Sequence, residues 1–153
     1  FYLGTCYDHG YGTDRDLQLA FYWYLKAAKA GHRDSQYNVG CFYSNDELGI
    51  KDHSKKAHWF KLAAKAGLID AQRDLGYLYF YGEGVKKNDN LAVYWYRKAA
   101  SKGDSMALFN LGLCYKHADG VSESKRWAKH YFIRAAELGN RRAKNQLKNL
   151  DKK

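Results

Sequence analysis

The sequence has no run of about 18 apolar residues, so no helix in it is expected to span a membrane, and nothing at its start reads as a signal peptide. Residue 1 is Phe rather than Met and falls inside a repeated helical pattern. The native N-terminus and any targeting segment are therefore expected upstream, and the sequence assigns no compartment. Cysteine is scarce: Cys6, Cys41 and Cys114 form an odd set at unmatched positions, which excludes a regular disulfide framework. Small packing thiols in a reducing compartment are the simplest reading, although neighbouring repeats could bring Cys6 and Cys41 face to face.

Signatures of catalysis are missing as well. None of His9, His32, His53, His58, His117 and His130 lies four residues from another histidine or beside a cysteine at metal-ligand spacing. No glycine-rich loop opens a helix in the phosphate-binding pattern, and no Gly-x-Ser-x-Gly elbow occurs. The expectation is no enzyme, no metal and no cofactor.

What the sequence does have is a period. Gly4, Gly40, Gly76 and Gly112 fall on a ladder of 36 residues, and Gly31, Gly67, Gly103 and Gly139 on a second ladder with the same step. Tyr7, Tyr43, Tyr79 and Tyr115 keep it too, as do the pairs Ala27-Ala28, Ala63-Ala64, Ala99-Ala100 and Ala135-Ala136. A period of this length means stacked supersecondary units sharing a continuous core, and it favours binding on an extended surface over catalysis.

One unit shows the chemistry. Ala71, Leu75, Leu78 and Tyr79 share a face, predicting a first helix from about Asp70 to Tyr81, which Gly82-Glu83-Gly84 stops. Asn88 or Asp89 can cap a second helix running to about Lys102, with Ala92, Trp95, Tyr96, Ala99 and Ala100 on its buried face and Gly103 closing it in a left-handed conformation. The step puts Asp16, Asp52 and Ser124 at the equivalent of Asn88, so every second helix has an N-cap in register. The glycine of the first helix and the alanines of the second are expected to let neighbouring backbones approach, with Trp23, Trp59 and Trp95 filling wider gaps as core. The fourth repeat differs: Tyr131-Phe132 replaces Trp-Tyr, and Trp127 stands one turn earlier.

The expected fold class is all-α, a single array over 1-153 of helix-turn-helix repeats framed as 1-38, 39-74, 75-110 and 111-139, with a closing helix at 140-150. The net charge is +10, and residues 111–153 hold 11 of the 26 basic and 4 of the 16 acidic side chains. That excess is read first as the polar outer face of a last repeat, and second as a means of attracting an acidic partner.

The run Leu-Gly-x-x-Tyr, Gly-x-Gly-Val, Ala-x-x-Trp-Tyr-x-Lys-Ala-Ala-x-x-Gly, fullest from Leu75 to Gly103, resembles the Sel1-like repeat. The constant step of 36 residues separates it from the tetratricopeptide repeat, its architectural relative. Departures are Asp46 and Leu48 in place of loop glycines, Ala118 in place of another, and the absence of the proline common in that loop. The resemblance implies a right-handed α/α superhelical solenoid acting as an adaptor or scaffold for other proteins or peptides. A cysteine-rich subgroup of the family is linked to β-lactam binding or hydrolysis through regular cysteine pairs, which this chain lacks. That enzyme remains the alternative from another class, and nucleic-acid binding through the basic C-terminal end is a third reading.

First helices line the concave side in such arrays, so positions on them that the core does not use are the candidate partner-binding residues. In the second repeat these are Tyr37, Cys41, Ser44 and Asn45; in the third, Arg73, Tyr77, Phe80 and Tyr81; in the fourth, Phe109, Leu113, Lys116 and His117, with Tyr37 and Phe109 the readiest to be claimed by the adjacent repeat. Asn38, Asp74 and Asn110 form a polar column that could meet a peptide backbone or tie neighbouring helices together. Tyr22, His58, Tyr94 and His130 form another column, on the second helices, read as partly exposed packing. The expected partner is a protein or peptide, acidic if the basic end takes part.

Overall fold

The computed structural model describes residues 1–44 and 46–150. Among the described residues there are nine helices and no strands: α1 (Tyr2–His9), α2 (Leu17–Lys29), α3 (Arg33–Phe42), α4 (His53–Lys65), α5 (Ile69–Tyr81), α6 (Asp89–Ser101), α7 (Ser105–His117), α8 (Lys125–Glu137) and α9 (Arg141–Leu150). Each packs chiefly on its neighbours in sequence, α1 through α4 in one series and α6 through α9 in another. That nearest-neighbour order is the mark of a helical repeat solenoid. The chain divides into two compact units, Phe1–Ala71 with Glu83–Val85, and Gln72–Gly82 with Lys86 onward.

Local chemistry sets the helix ends. Asp16, Asp52, Asn88 and Ser124 stand in extended backbone, and each side-chain oxygen accepts an amide of the first turn it precedes. The first helices have caps that periodicity did not single out: His32 before α3, Asp104 before α7, and Asn140 before α9, where Oδ1 accepts Ala143 N–H at 3.0 Å. Gly103, one residue past the α6 cap, has φ +85°, the left-handed conformation that ends the helix. At the end of α7 the same region is taken by Ala118, at φ 63°.

The first-helix glycines do more than let backbones approach, although Gly76 lies close to the Ala92 carbonyl and Gly40 to that of Lys56. Each faces an aromatic ring of the helix that follows: Tyr24 for Gly4, Phe60 for Gly40, Tyr96 for Gly76 and Phe132 for Gly112. A Cβ added at Gly4 or Gly76 would stand 2.7 Å from the ring, and closer still at Gly40 and Gly112. The four rings form a further ladder of 36 residues, 24, 60, 96 and 132, so each glycine is the seat of a ring 20 residues downstream. In the first unit Tyr24 joins Ala20, Ala28, Val39 and Phe42 in the core, with Phe21 and Trp59 packed against it. In the second, Leu75, Leu78, Tyr96, Leu108, Leu111 and Phe132 are buried. Of the tryptophans expected in the core only Trp95 is buried, 7% exposed; Trp23 and Trp59 are half-buried, and Trp127 is 47% exposed.

Candidate partner-binding surface

Helix α5 buries Ala71, Leu75 and Leu78 on one side and presents Tyr77 and Tyr81 on another, 46% and 62% exposed. Spacing of four residues puts the two tyrosines one turn apart on the same face. Their ring centroids lie 4.4 Å apart, and Phe80, half-buried, meets Tyr81 edge-on at 5.0 Å. Lys87 Nζ lies 5.7 Å over the Phe80 ring. The three aromatics therefore form one ordered cluster on a helix whose opposite side is locked into the core, and little rotamer freedom remains to be lost on binding.

Tyr96, seated on Gly76, is only 2% exposed. Burial raises its hydroxyl above the ordinary tyrosine range, and Cys114, Tyr81, Tyr77 and Asp74 reinforce the shift. The buried phenol beneath the aromatic cluster thus stays neutral. Burial likewise pushes the Cys114 thiol up to about 12, which leaves it neutral and unreactive. All three cysteines are free thiols.

The remaining candidate residues are placed differently. Arg73 is committed inside the second unit: its Nε meets Asp74 Oδ1 at 2.8 Å and its Nη1 meets Asp104 Oδ2 at 3.1 Å. Lys116 donates to Gln146 Oε1 on α9 at 2.9 Å, so it faces the closing helix. Phe109 is buried in the core rather than exposed, packed on Phe132; Leu113 and Asn110 are half-buried, His117 is exposed, Ser44 donates to the Gly40 carbonyl at 3.1 Å, and Asn45 lies outside the described residues. In the first unit Tyr37 stacks on Phe60 at 4.9 Å, and Cys41 lines a small 130 Å³ pocket with Asp8, Arg15 and Phe42. Asn38 joins Thr5 and Asp8 around the Tyr24 hydroxyl, so in this repeat the polar column ties helices together. The column Tyr22, His58, Tyr94 and His130 is exposed, each ring lying edge-on to the aromatic residue that follows it.

Among the described residues no group of three or more His, Cys, Asp and Glu side chains gathers where it could hold a metal ion, and no helix is long and apolar enough to cross a membrane. A family model for the Sel1 repeat matches residues 1–32, 33–68, 69–104 and 105–140, nearly the whole chain. The chain belongs to the Sel1 repeat family. The four Sel1 repeats as framed by that match each open close to the start of a first helix and close just past its second.

The solved structures agree. The chain is similar to a Sel1 repeat protein from Oxalobacter formigenes, with 35% identity and a TM-score of 0.91 over 95% of this chain and 60% of that one. It is similar to c5321, a protective antigen of uropathogenic Escherichia coli with the same repeat fold, at 36% identity and a TM-score of 0.91 over 95% of this chain and 31% of that one. Cysteine rich protein B of Helicobacter pylori shares the fold, at 24% identity and a TM-score of 0.67, over 87% of this chain and 96% of its own. The chain thus spans 60% and 31% of the first two relatives. No curated protein matches it. Sel1 repeats commonly serve as protein-interaction scaffolds.

Proposed function

We propose that this Sel1 array is a non-catalytic adaptor that captures another protein or a peptide on the exposed side of α5, with α7 beside it. The observation that carries this reading is the Tyr77, Phe80 and Tyr81 cluster: large, ordered, partly solvent-exposed rings on a helix fixed by its buried face. Tyrosine is enriched among the few residues that supply most binding energy at interfaces, each worth about 2 kcal/mol or more when truncated. The basic residues of α8 and α9 favour an acidic partner by steering its approach.

The test is affinity capture from a lysate of the source organism, comparing the parent with Tyr77→Ala/Tyr81→Ala. Both side chains are exposed, so the variant should keep the parent's circular dichroism. A protein retained by the parent and lost by the variant supports the reading. Identical retention by both refutes the α5 assignment.

A further inference from the structure

A second surface, on the outer sides of α6 and α8, carries chemistry that the α5 reading leaves unused. A cleft of about 430 Å³ runs along α6, lined by Asn90, Val93, Tyr94, Arg97, Lys98 and Ser101, and is bounded by Gly120 of the turn after α7. That turn is held onto α6: Gly120, at φ +68°, stands so close to the Asp89 carbonyl that no side chain would fit.

Arg97 is fixed in place. Its Nη2 donates to the Tyr115 hydroxyl at 2.8 Å, and Tyr115 stacks on Tyr131 of α8 at 5.5 Å. Trp127 completes the cluster, 6.0 Å from Tyr131 and 6.2 Å from Tyr115. Burial raises the Tyr131 hydroxyl, and the charges of Arg97 on α6 and Arg134 on α8 oppose that shift. Lys98 Nζ lies 5.0 Å over Tyr94. Among the described residues no carboxylate pairs with Arg97, Lys98 or Arg134. Two cations lining a mainly apolar cleft, with Arg134 on α8 and no internal counter-charge, are complementary to an anion from outside.

The repeat itself singles out Trp127. The step of 36 residues places Leu19, Lys55 and Leu91 at its position and Trp23, Trp59 and Trp95 at that of Tyr131. The fourth repeat has thus moved its indole one turn, out of a core position and onto the surface. It forfeits the burial that Trp95 keeps.

We propose that the α6 cleft together with Trp127 is a second binding site, for an acidic peptide segment of a partner. Carboxylates of the peptide pair with Arg97, Lys98 and Arg134, and one apolar or aromatic side chain lies against Trp127. Planar guanidinium groups suit carboxylates. Lys98 lies over the exposed Tyr94 ring, and Trp127 is packed on Tyr115 and Tyr131, so the site lacks the succession of open stacking rings that single-stranded nucleic acid uses.

The test is an array of dodecapeptides, each with four carboxylates and one Leu, Phe or Trp, beside a matched array with Gln and Asn replacing the acids. The tightest binder is then measured by fluorescence anisotropy at about 0.1 M salt, where long-range attraction between exposed charges is largely screened. Its affinity is compared among the parent, Arg97→Gln/Lys98→Gln, Trp127→Leu and Tyr77→Ala/Tyr81→Ala. Leucine is the residue the repeat carries at positions 19 and 91, so Trp127→Leu should fold. The expected result is selection of acidic over amide peptides, about tenfold weaker binding for each of the first two variants, and no change for the α5 variant. The proposal falls if acidic and amide peptides bind alike or not at all. It also falls if neither Arg97→Gln/Lys98→Gln nor Trp127→Leu weakens binding, or if a single-stranded oligothymidylate of equal charge binds the site more tightly. Loss confined to the α5 variant would overturn this site while leaving the α5 reading intact.

Discussion

Gly112→Ala should destabilise the protein although alanine is the better helix former, and the sign should reverse when Phe132 is shortened. A Cβ at Gly112 would stand 2.5 Å from Phe132 Cδ1 and 3.0 Å from Cζ, where relaxed carbon contacts need about 3.5–4.0 Å. The ring would have to retreat by about 1 Å to restore that spacing. Phe132 is fully buried and packs on Phe109 at 5.8 Å, so it has no free direction. Overpacking of this kind costs about 2–3 kcal/mol, at the upper end of its usual span, while replacing a mid-helix glycine by alanine returns about 0.5–1 kcal/mol. The net expectation is a loss of about 1–2 kcal/mol. In a Phe132→Leu background the ring edge is gone, and the same substitution should stabilise by about 0.5–1 kcal/mol. The coupling across the cycle is therefore about 2–3 kcal/mol. Urea unfolding followed by circular dichroism, on the parent, both single variants and the double variant, measures it. If Gly112→Ala stabilises the parent, or costs the same with Leu at 132, the glycine is not a ring seat and the ladder needs another cause.

Other expectations follow from the same geometry. Ala118→Gly relieves a left-handed alanine that costs about 1–2 kcal/mol, offset in part by the entropy of glycine in the unfolded chain. The urea midpoint should rise by the equivalent of about 0.5–1 kcal/mol, and a fall would show that Ala118 is not strained. Asp104 both caps α7, accepting Ala107 N–H at 2.6 Å, and pairs with Arg73. Asp104→Ala should cost about 1 kcal/mol for the cap plus about 1.5–3 kcal/mol for the charged hydrogen bond, with Asp104→Asn recovering the cap share; equal losses would deny the cap a part. Within the first unit the Lys56 hydrogen bond, with help from His53, holds the Glu83 carboxyl below its ordinary range. A depressed folded-state pKa stabilises above the unfolded value of about 4.3, and that contribution is lost as pH falls through the lower folded value. Glu83→Gln should therefore flatten the stability profile below about pH 4.5 and leave its slope at neutral pH unchanged; an unaltered acid limb would remove the ion pair from the account.

The fold was legible because the chain writes the same packing problem four times. Four N-caps in register and two glycine ladders locate helix ends without any knowledge of the tertiary contacts. The cause of the first-helix glycines was not legible. Its partner ladder at 24, 60, 96 and 132 was visible, but only the folded hairpin shows that the ring points at the glycine. The caps His32, Asp104 and Asn140 were missed because the first-helix starts carry no single repeated residue type. For the candidate site, periodicity names the face of a helix but does not say which exposed-side residues their neighbours will claim. Arg73 and Lys116 are taken up by partners 31 and 30 residues away, Asp104 and Gln146, at distances that only the folded structure reveals.

A repeat protein offers its own internal control for telling core from surface. Positions that keep their residue class through all four copies, such as the glycines and their rings, are those that stacking demands. Positions that change freely are released from stacking, and what they carry can be spent on a partner. Tyr77 and Tyr81 occupy released positions, since the same places hold Thr5, Cys41 and Leu113, and His9 and His117. Trp127 is the sharper case: an indole has left a column where stacking wanted one for a column where it did not. Exposed aromatics at released positions have no structural creditor, so their removal should leave stability nearly unchanged while altering binding. Ring-seat residues should do the reverse. If Tyr77→Ala/Tyr81→Ala and Trp127→Leu lower the urea midpoint as much as Phe132→Leu does, that division fails and both binding surfaces lose their basis.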